Sequence, residues 1–302
     1  MTRGIQFPMF APQTEWVMPD GLKDLTGYKE IAIDLETNDP GLITSGSGSV
    51  VGRGHIAGIA VAVEGWSGYY PIQHENGGNI DKKLVFGWLQ EILNQENTTF
   101  IFHNAMYDVC WLRAAGLIIK GKIVDTMIAA SLVNENRFKF DLNSLAKEYV
   151  GIGKDENVLR IAAKDFGVDP KAEMWRMPAM YVGEYAERDA EVTLKLWQRL
   201  SIELHNEELM DIFNLETKLF PCLVDMRFKG VRVDLEHAAK LKKNLIIRED
   251  KILKNIKDLV GFDIEINAAR SIAKGFDKLK LPYDRTEKSN EPSFTKNFLQ
   301  NH

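Results

Sequence analysis

Four short apolar stretches in the first third of the chain predict β-strands. In most of them a polar or small residue occupies every second position. They are IAIDLET (31–37), HIAGIAVAV (55–63), WSGYYPI (66–72) and TTFIFHN (98–104). Only Glu64 and Gly65 separate the second stretch from the third, so these two strands should form an antiparallel meander.

Around these strands the spacing of apolar residues changes to that of α-helices. Helices are predicted over residues 82–95 and 105–116, and the second should end at Gly116. From Asp125 onward the pattern is mostly helical, with one long helix over residues 182–204. Three strands, a helix, a strand and a helical remainder predict an α/β fold built on a mixed sheet flanked by helices.

A smaller, mostly helical segment is predicted to follow near Asn206, which gives expected domains at residues 1–205 and 206–302. The second domain should hold an apolar segment (215–234) and then a charged helix (235–259).

The composition is that of a globular protein, with 45% hydrophobic residues and a net charge of -5 among 302 residues. No apolar run reaches the roughly 18 residues that a membrane span requires, and the start lacks the pattern of a secretory signal. Cys110 and Cys222 form no CxxC pair and are interpreted as reduced core residues of a cytoplasmic protein. The acidic balance neither requires nor excludes nucleic-acid binding.

Asp34 and Glu36 are two residues apart on the first predicted strand, so both side chains lie on the face that Ala32 shares. Ile31 and Ile33 should face the opposite way. Two neighbouring carboxylates repel each other, and a divalent cation between them would relieve the repulsion. Taken alone, the pair also fits a half-exposed strand with a polar face.

Two further pairs have helical i, i+4 spacing. Asn104 and Asp108 occupy a strand-to-helix junction, where capping by the asparagine and the helix dipole would already explain them. Tyr185 and Asp189 share one face of the long helix, where a tyrosine is usually a packing residue. The ordered set of D-x-E, N-x-x-x-D and Y-x-x-x-D offers four carboxylates on three elements, a suitable donor set for two hard cations.

This ordered set resembles the DEDD exonucleases, whose fold is RNase H-like. Tyr185 lies four residues before Asp189, and Glu184 occupies the position of the histidine of the other subclass, so the sequence resembles the tyrosine subclass. HNAMYDVCWLRAAG, DLNSLAKEYVG and YAERDAEVTLKLW resemble the exonuclease domain of family A DNA polymerases, and YYPIQHENGGN its bacteriophage branch. LFPCLVDMRFKGVRVD resembles the start of the polymerase domain itself.

The resemblance implies a 3′→5′ exonuclease that uses two divalent cations, Mg²⁺ or Mn²⁺, to release 5′-mononucleotides from single-stranded or mismatched DNA ends. Asp34, Glu36 and Asp189 would hold one metal, Asp34 would bridge to the second, and Asp108 would reach that second ion directly or through water. Tyr185 would orient the attacking water.

The resemblance also implies contacts to the single strand. Tyr107 and Asn104 would contact the terminal nucleotide, although core packing equally explains Tyr107. Leu42 would act as a wedge between terminal bases. Arg137 and Lys139 would contact phosphates. Asp125 is expected to cap its own helix instead of binding metal, and the glycine-rich stretch 41–54 is expected to be a flexible surface loop without the phosphate-binding P-loop pattern.

The sequence stops before the palm aspartates of such polymerases, so it is expected to lack templated synthesis. The polymerase domain would be supplied in cis, in a longer form of the protein, or in trans by a second gene. Two alternatives are an RNase D-like exoribonuclease, which shares the motifs, and a catalytically silent module that supports a polymerase.

Overall fold

The computed structural model describes residues 13–153 and 156–301. The chain divides into two compact units, Met1–Gly230 and Val231–His302. The first unit contains a five-stranded mixed sheet, and the second is smaller and mostly helical.

The sheet of the first unit has the strand order β3-β2-β1-β4-β5. β1 pairs antiparallel with β2 and parallel with β4, which in turn pairs parallel with β5. The strands are β1 (Glu30–Asn38), β2 (His55–Val63), β3 (Trp66–Pro71), β4 (Thr99–Phe102) and β5 (Lys122–Asp125). The four predicted strands are confirmed, whereas β5 was missed.

Eight α-helices belong to the described part of the first unit. They are α1 (Leu42–Ser45), α2 (Lys82–Leu93), α3 (Ala105–Ala114), α4 (Thr126–Val133), α5 (Leu142–Tyr149), α6 (Asn157–Phe166), α7 (Gly183–Asn206) and α8 (Met210–Lys229). The stretch 41–54, predicted to be a loop, contains the single turn α1 and a 3₁₀ turn over Gly48–Val51. Asp39 accepts the backbone N–H of Gly48, which fixes the second turn to the end of β1.

Helices cover both faces of the sheet, and each face has its own apolar core. Ala32 belongs to the core packed against α4 to α7, whereas Ile31, Ile33 and Leu35 belong to the core packed against α2, α3 and α8. The alternation predicted for β1 is therefore confirmed.

Helix α8 belongs to the first compact unit, so the division between the units lies later than the predicted boundary at residues 205–206. Phe220 and Val224 are buried in the same core as Leu35, and Phe213 is buried in the other core. The apolar face of α8 thus completes the first unit, and the chain separates only after Gly230. Cys110 is buried as predicted, but Cys222 on α8 is exposed, so its interpretation as a core residue was wrong.

The second unit begins with the long helix α9 (Leu235–Val260), of which only Val260 is buried. It continues with α10 (Ala269–Leu279), β6 (Asp284–Arg285), β7 (Pro292–Ser293) and α11 (Lys296–Asn301). Its small core is aromatic: the ring centroid of Phe276 lies 5.0 Å from that of Phe294 and 6.0 Å from that of Phe298. None of the helices in the described ranges is long and apolar enough to cross a membrane.

Candidate active site

Asp34 and Glu36 project from the central strand β1 toward helix α7, on the face that Ala32 shares. In the antiparallel pairing Asp34 lies opposite Ala60 and Glu36 opposite Gly58. The register shifts immediately after Glu36, and such a bulge redirects the end of a strand. Glu36 is only 7% exposed, so its carboxyl group lies in a largely dehydrated environment.

Asp108 lies in the first turn of α3, directly after β4, the parallel neighbour of β1. Its Oδ1 accepts the backbone N–H of Leu35 at 3.2 Å, which places the carboxyl group between the positions of Asp34 and Glu36. Burial raises the pKa of Asp108 well above its usual range, and the charge of Asp34 raises it further. The two carboxyl groups are therefore close enough to oppose each other's ionisation.

Tyr185 and Asp189 lie on successive turns of α7, the helix that packs across β1. Burial raises the pKa of the Tyr185 phenol well above its ordinary value, and the charges of Asp189, Glu36 and Asp34 add to this effect. A hydrogen bond between the side chains of Tyr185 and Asp189 acts in the same direction. The phenol therefore stays neutral and lies among three carboxylates.

The structure brings the five predicted catalytic residues together beside the carboxyl-terminal half of the central strand β1. Asp34 links the side chains of α3 and α7, because its charge raises the pKa of Asp108 and also that of Tyr185. Asp108 and Asp189 are 4% and 5% exposed, and carboxylate oxygens are the ligands that hard divalent cations prefer. Within residues 13–153 and 156–301, no three His, Cys, Asp or Glu side chains are already grouped as a metal site.

Asp125 fixes the start of α3, as well as the start of its own helix as predicted. Its Oδ1 accepts the N–H groups of Met127 at 2.8 Å and Asn104 at 3.0 Å, and its Oδ2 accepts that of Ala105 at 2.8 Å. Asn104 adopts a left-handed backbone conformation with a φ of 63° and makes no side-chain capping bond. The capping role considered for Asn104 was therefore wrong, because Asp125 performs it.

Tyr107 and Leu42, two of the predicted DNA contacts, lie beside the end of β1. The hydroxyl oxygen of Tyr107 is 2.6 Å from Oγ1 of Thr37 and 3.4 Å from Oδ2 of Asp39. Burial raises the pKa of Tyr107 to about 12. Leu42 in α1 is 45% exposed and Ile43 is almost fully exposed, so this turn presents apolar side chains to solvent.

Arg137 and Lys139, the predicted phosphate contacts, have different surroundings. The guanidinium of Arg137 forms an ion pair with Glu148, and its Nε donates to the carbonyl of Lys139 at 3.2 Å. Its side chain is only 12% exposed, so its charge is already neutralised within the protein. The side chain of Lys139 is exposed.

A buried tyrosine and histidine lie behind the carboxylates and were missed by the sequence analysis. The hydroxyl of Tyr69 is 2.7 Å from Nε2 of His74, and Nδ1 of His74 is 2.9 Å from the carbonyl of Met177. Burial lowers the pKa of His74 to about 4, so the imidazole is neutral. Since a carbonyl only accepts, Nδ1 carries the proton and Nε2 accepts the proton of Tyr69.

Gly58 provides the space for this pair. A Cβ atom at Gly58 would lie 2.0 Å from the hydroxyl oxygen of Tyr69, so only glycine fits opposite Glu36. Burial raises the pKa of Tyr69, and the charge of Glu36 raises it further, as expected for a phenol near the carboxylates. The glycine in HIAGIAVAV was the one signal of this close approach in the sequence.

Comparison with known proteins identifies a matching family. A family model described as a 3′–5′ exonuclease matches residues 11–205. A DNA-directed DNA polymerase of Pseudomonas phage M6 is 32% identical over 98% of this chain, which covers 46% of that polymerase. The chain therefore spans less than half the length of this relative.

Two solved structures share the fold. One is the polymerase domain of Pol1 from M. smegmatis, in complex with DNA primer-template and dNTP. The match covers 91% of this chain and 42% of the Pol1 chain, with a TM-score of 0.62 and 16% sequence identity. NrnC of Brucella melitensis with bound Mg²⁺ matches 70% of this chain and 92% of its own with a TM-score of 0.50 and 20% identity. The predicted RNase H-like α/β fold is confirmed.

Proposed function

Because the chain belongs to the 3′–5′ exonuclease family of the family A DNA polymerases, we propose that it removes nucleotides from unpaired or mismatched 3′ ends of DNA in the manner of a proofreading nuclease. The observation that carries the proposal is the grouping of Asp34, Glu36 and Asp189 around the phenol of Tyr185, with Asp108 close enough to Asp34 for the charge of Asp34 to raise its pKa. We propose that it acts in the cytoplasm, which would be that of the host cell if the chain is encoded by a phage.

Two divalent cations, Mg²⁺ or Mn²⁺, are proposed as cofactors. Asp34, Glu36 and Asp189 would hold one cation, and Asp34 and Asp108 the other. When bound, the two cations supply positive charge that stabilises both the attacking and the leaving oxygen of an in-line displacement. The raised pKa of Asp108 supports this proposal, because added positive charge would offset the repulsion between the carboxylates.

Tyr185 is proposed to orient the attacking water. Its phenol pKa lies well above the ordinary value, so at neutral pH the group keeps its proton and does not act as a base. A neutral phenol that is hydrogen-bonded to Asp189 can still accept a hydrogen bond from a water molecule and so orient it.

We propose that the 3′ strand passes Asn104, Tyr107 and Leu42 on its way to the carboxylates. Tyr107 and Leu42 lie at the end of β1, beside Asp39 and the glycine-rich turns, which agrees with a base-stacking or wedging role. Lys139 remains a proposed phosphate contact, whereas the ion pair of Arg137 with Glu148 supports a structural role for that residue.

Single-stranded DNA is expected to be degraded at least about 10-fold faster than blunt duplex of the same sequence, because unpairing a 3′ end costs a few kcal/mol. A mismatched 3′ end should be degraded at an intermediate rate. The measurement uses 5′-labelled oligonucleotides with Mg²⁺ or Mn²⁺, whose products should shorten one nucleotide at a time. Equal rates on single strand and duplex, or removal from the 5′ end, would contradict proofreading. Faster cleavage of matched RNA would favour the RNase D-like alternative.

A polymerase domain is the proposed protein partner, in cis or in trans, and residues 206–302 are proposed to be the start of that domain. The support is the phage relative, a DNA polymerase of which this chain covers 46%. Helix α8 supports it independently, because Leu215, Leu219 and Met226 are exposed at the spacing of a single helix face. Exposed apolar patches of this kind usually mark interaction sites.

The partner proposal predicts that this chain binds the remaining, unmatched portion of the phage M6 polymerase. Leu219→Lys should weaken this binding by about 10-fold or more, as expected for a residue near the centre of an interface. Ile161→Lys, on an exposed position of α6, is the matched control and should bind normally. Binding can be measured by co-purification and titration calorimetry. If both variants bind like the unmodified chain, the α8 face is not the interface.

A further inference from the structure

A segment before the first strand lies against helix α7, close to its catalytic residues. The hydroxyl of Thr14 donates to the carbonyl of Met180 at 3.2 Å, just before α7 begins. Two residues later, Nε1 of Trp16 donates to Oε1 of Glu187 at 2.8 Å. The segment is therefore hydrogen-bonded both to the approach of α7 and to its second turn.

Glu187 also connects α7 with the sheet. The same Oε1 atom accepts the backbone N–H of Tyr69 at 2.9 Å. Tyr69 belongs to β3, which is an edge strand of the sheet. A single carboxylate oxygen thus holds an edge-strand N–H group and an indole N–H group at the same time.

The packing around these hydrogen bonds leaves little freedom for the helix. A Cβ atom at Gly183 would lie 2.0 Å from Cε2 of Trp16, so the indole ring contacts the first turn of α7 closely. The ring of Trp16 also meets that of Tyr69 edge-on, with 6.2 Å between centroids. Sliding or rotating α7 would break both hydrogen bonds and this packing.

Glu187 lies between the two catalytic residues of α7, two positions after Tyr185 and two before Asp189. At 100° per residue, its side chain leaves the helix on a side different from the one that Tyr185 and Asp189 share. Its distance along the helix axis from each is only about 3 Å. A hydrogen bond at Glu187 therefore fixes the height and rotation of both catalytic side chains over β1.

We infer that Glu187 is a positioning residue, which locks α7 to β3 and to Trp16 so that Tyr185 and Asp189 face Asp34 and Glu36. The inference that these side chains are catalytic rests on the proposed nuclease function. The physical claim is narrower: without the acceptor oxygen at position 187, Asp189 is held less well toward the carboxylates of β1. Second-layer residues of this kind usually change metal affinity or activity by about 10- to 100-fold.

The test compares Glu187→Ala with Glu187→Gln in the full chain. The amide oxygen of glutamine can accept both N–H groups, whereas alanine removes the acceptor. Gln198→Ala, which truncates an exposed glutamine farther along the same helix, is the matched control. Mn²⁺ binding is measured by titration calorimetry, kcat and KM on single-stranded DNA by product release, and folding by thermal unfolding.

Glu187→Ala should bind Mn²⁺ about 10-fold more weakly and lose a similar factor in kcat with little change in KM. Glu187→Gln and Gln198→Ala should resemble the unmodified chain. Unchanged Mn²⁺ binding and kcat in Glu187→Ala would overturn the inference. An equal loss of Mn²⁺ affinity and kcat in Glu187→Gln would also overturn it. The same holds if the loss in Glu187→Ala is fully explained by the fraction of the protein that is unfolded. If the unmodified chain cleaves no DNA, the proposed function fails, while the Mn²⁺ titrations still decide the positioning role.

Discussion

Asp34→Ala is expected to reduce the Mg²⁺- or Mn²⁺-dependent release of mononucleotides by more than about 100-fold, the largest loss among single substitutions at the site. Asp34 is the carboxylate whose charge acts on both Asp108 and Tyr185, so its removal affects both proposed cation positions. Tyr185→Phe should cause a smaller loss of activity, because the proposed cations would still hold the water. Rates are measured on a single-stranded oligonucleotide with a 5′ label.

The accompanying stability measurement separates chemistry from folding. The charge of Asp34 opposes the ionisation of Asp108, so Asp34→Ala should leave the free energy of unfolding unchanged or raise it. Asp34→Asn preserves the shape of the side chain and should be almost as inactive as alanine. Full activity in either variant, with the chain folded, would refute the proposed two-cation assignment.

Asp125→Ala is expected to cause the largest loss of stability, about 3–5 kcal/mol in the free energy of unfolding. Its buried carboxylate accepts the N–H groups of Asn104, Ala105 and Met127, and each donor left without an acceptor costs about 1–3 kcal/mol. Activity should fall as well, since α3 carries Asp108. The measurement is denaturant unfolding followed by circular dichroism.

Asp125→Asn provides a graded comparison. Its remaining oxygen can still accept the N–H groups of Asn104 and Met127, while the amide nitrogen faces the N–H of Ala105 and cannot accept it. The loss should therefore be roughly one third to one half of that in Asp125→Ala. Equal stabilities of the alanine variant and the unmodified chain would show that the three hydrogen bonds contribute little.

The carboxylates of β1 were predictable because the local pattern already determines their geometry. A strand alternates its faces, so Asp34 and Glu36 had to share the face of Ala32 whatever the sheet order. The i, i+4 spacing of Tyr185 and Asp189 likewise needs only a helix. The order of D-x-E, N-x-x-x-D and Y-x-x-x-D then indicated the family, and the family match over residues 11–205 agrees with it.

Strand β5 and the true extent of the first unit depend on contacts that local patterns do not contain. Lys122–Asp125 is only four residues long and becomes a strand because it pairs with β4. Helix α8 has apolar residues on several faces, so the sequence did not show that Phe220 and Val224 pack into the first unit. Whether residues 206–302 also form part of a polymerase domain stays a prediction.

Glu187 gave no signal in the sequence for a different reason. It lies in the charged stretch EYAERDAE of a helix, where a glutamate is usually solvent-exposed. Its two donors, Trp16 and Tyr69, are distant along the chain and come together only in the folded structure. Hydrogen bonds of this kind have no spacing rule, unlike the pairs on one strand or one helix.

The order of the elements along the chain also affects when a nuclease could first become active during synthesis of the chain. Asp34 emerges early on β1, but Asp189 follows only with α7, after every strand of the five-stranded sheet has been made. Such distant pairings form slowly, because a long loop must close before they contribute stability. A growing or partly folded chain therefore lacks the complete set of carboxylates, and the proposed nuclease activity would arise only once the first unit has folded.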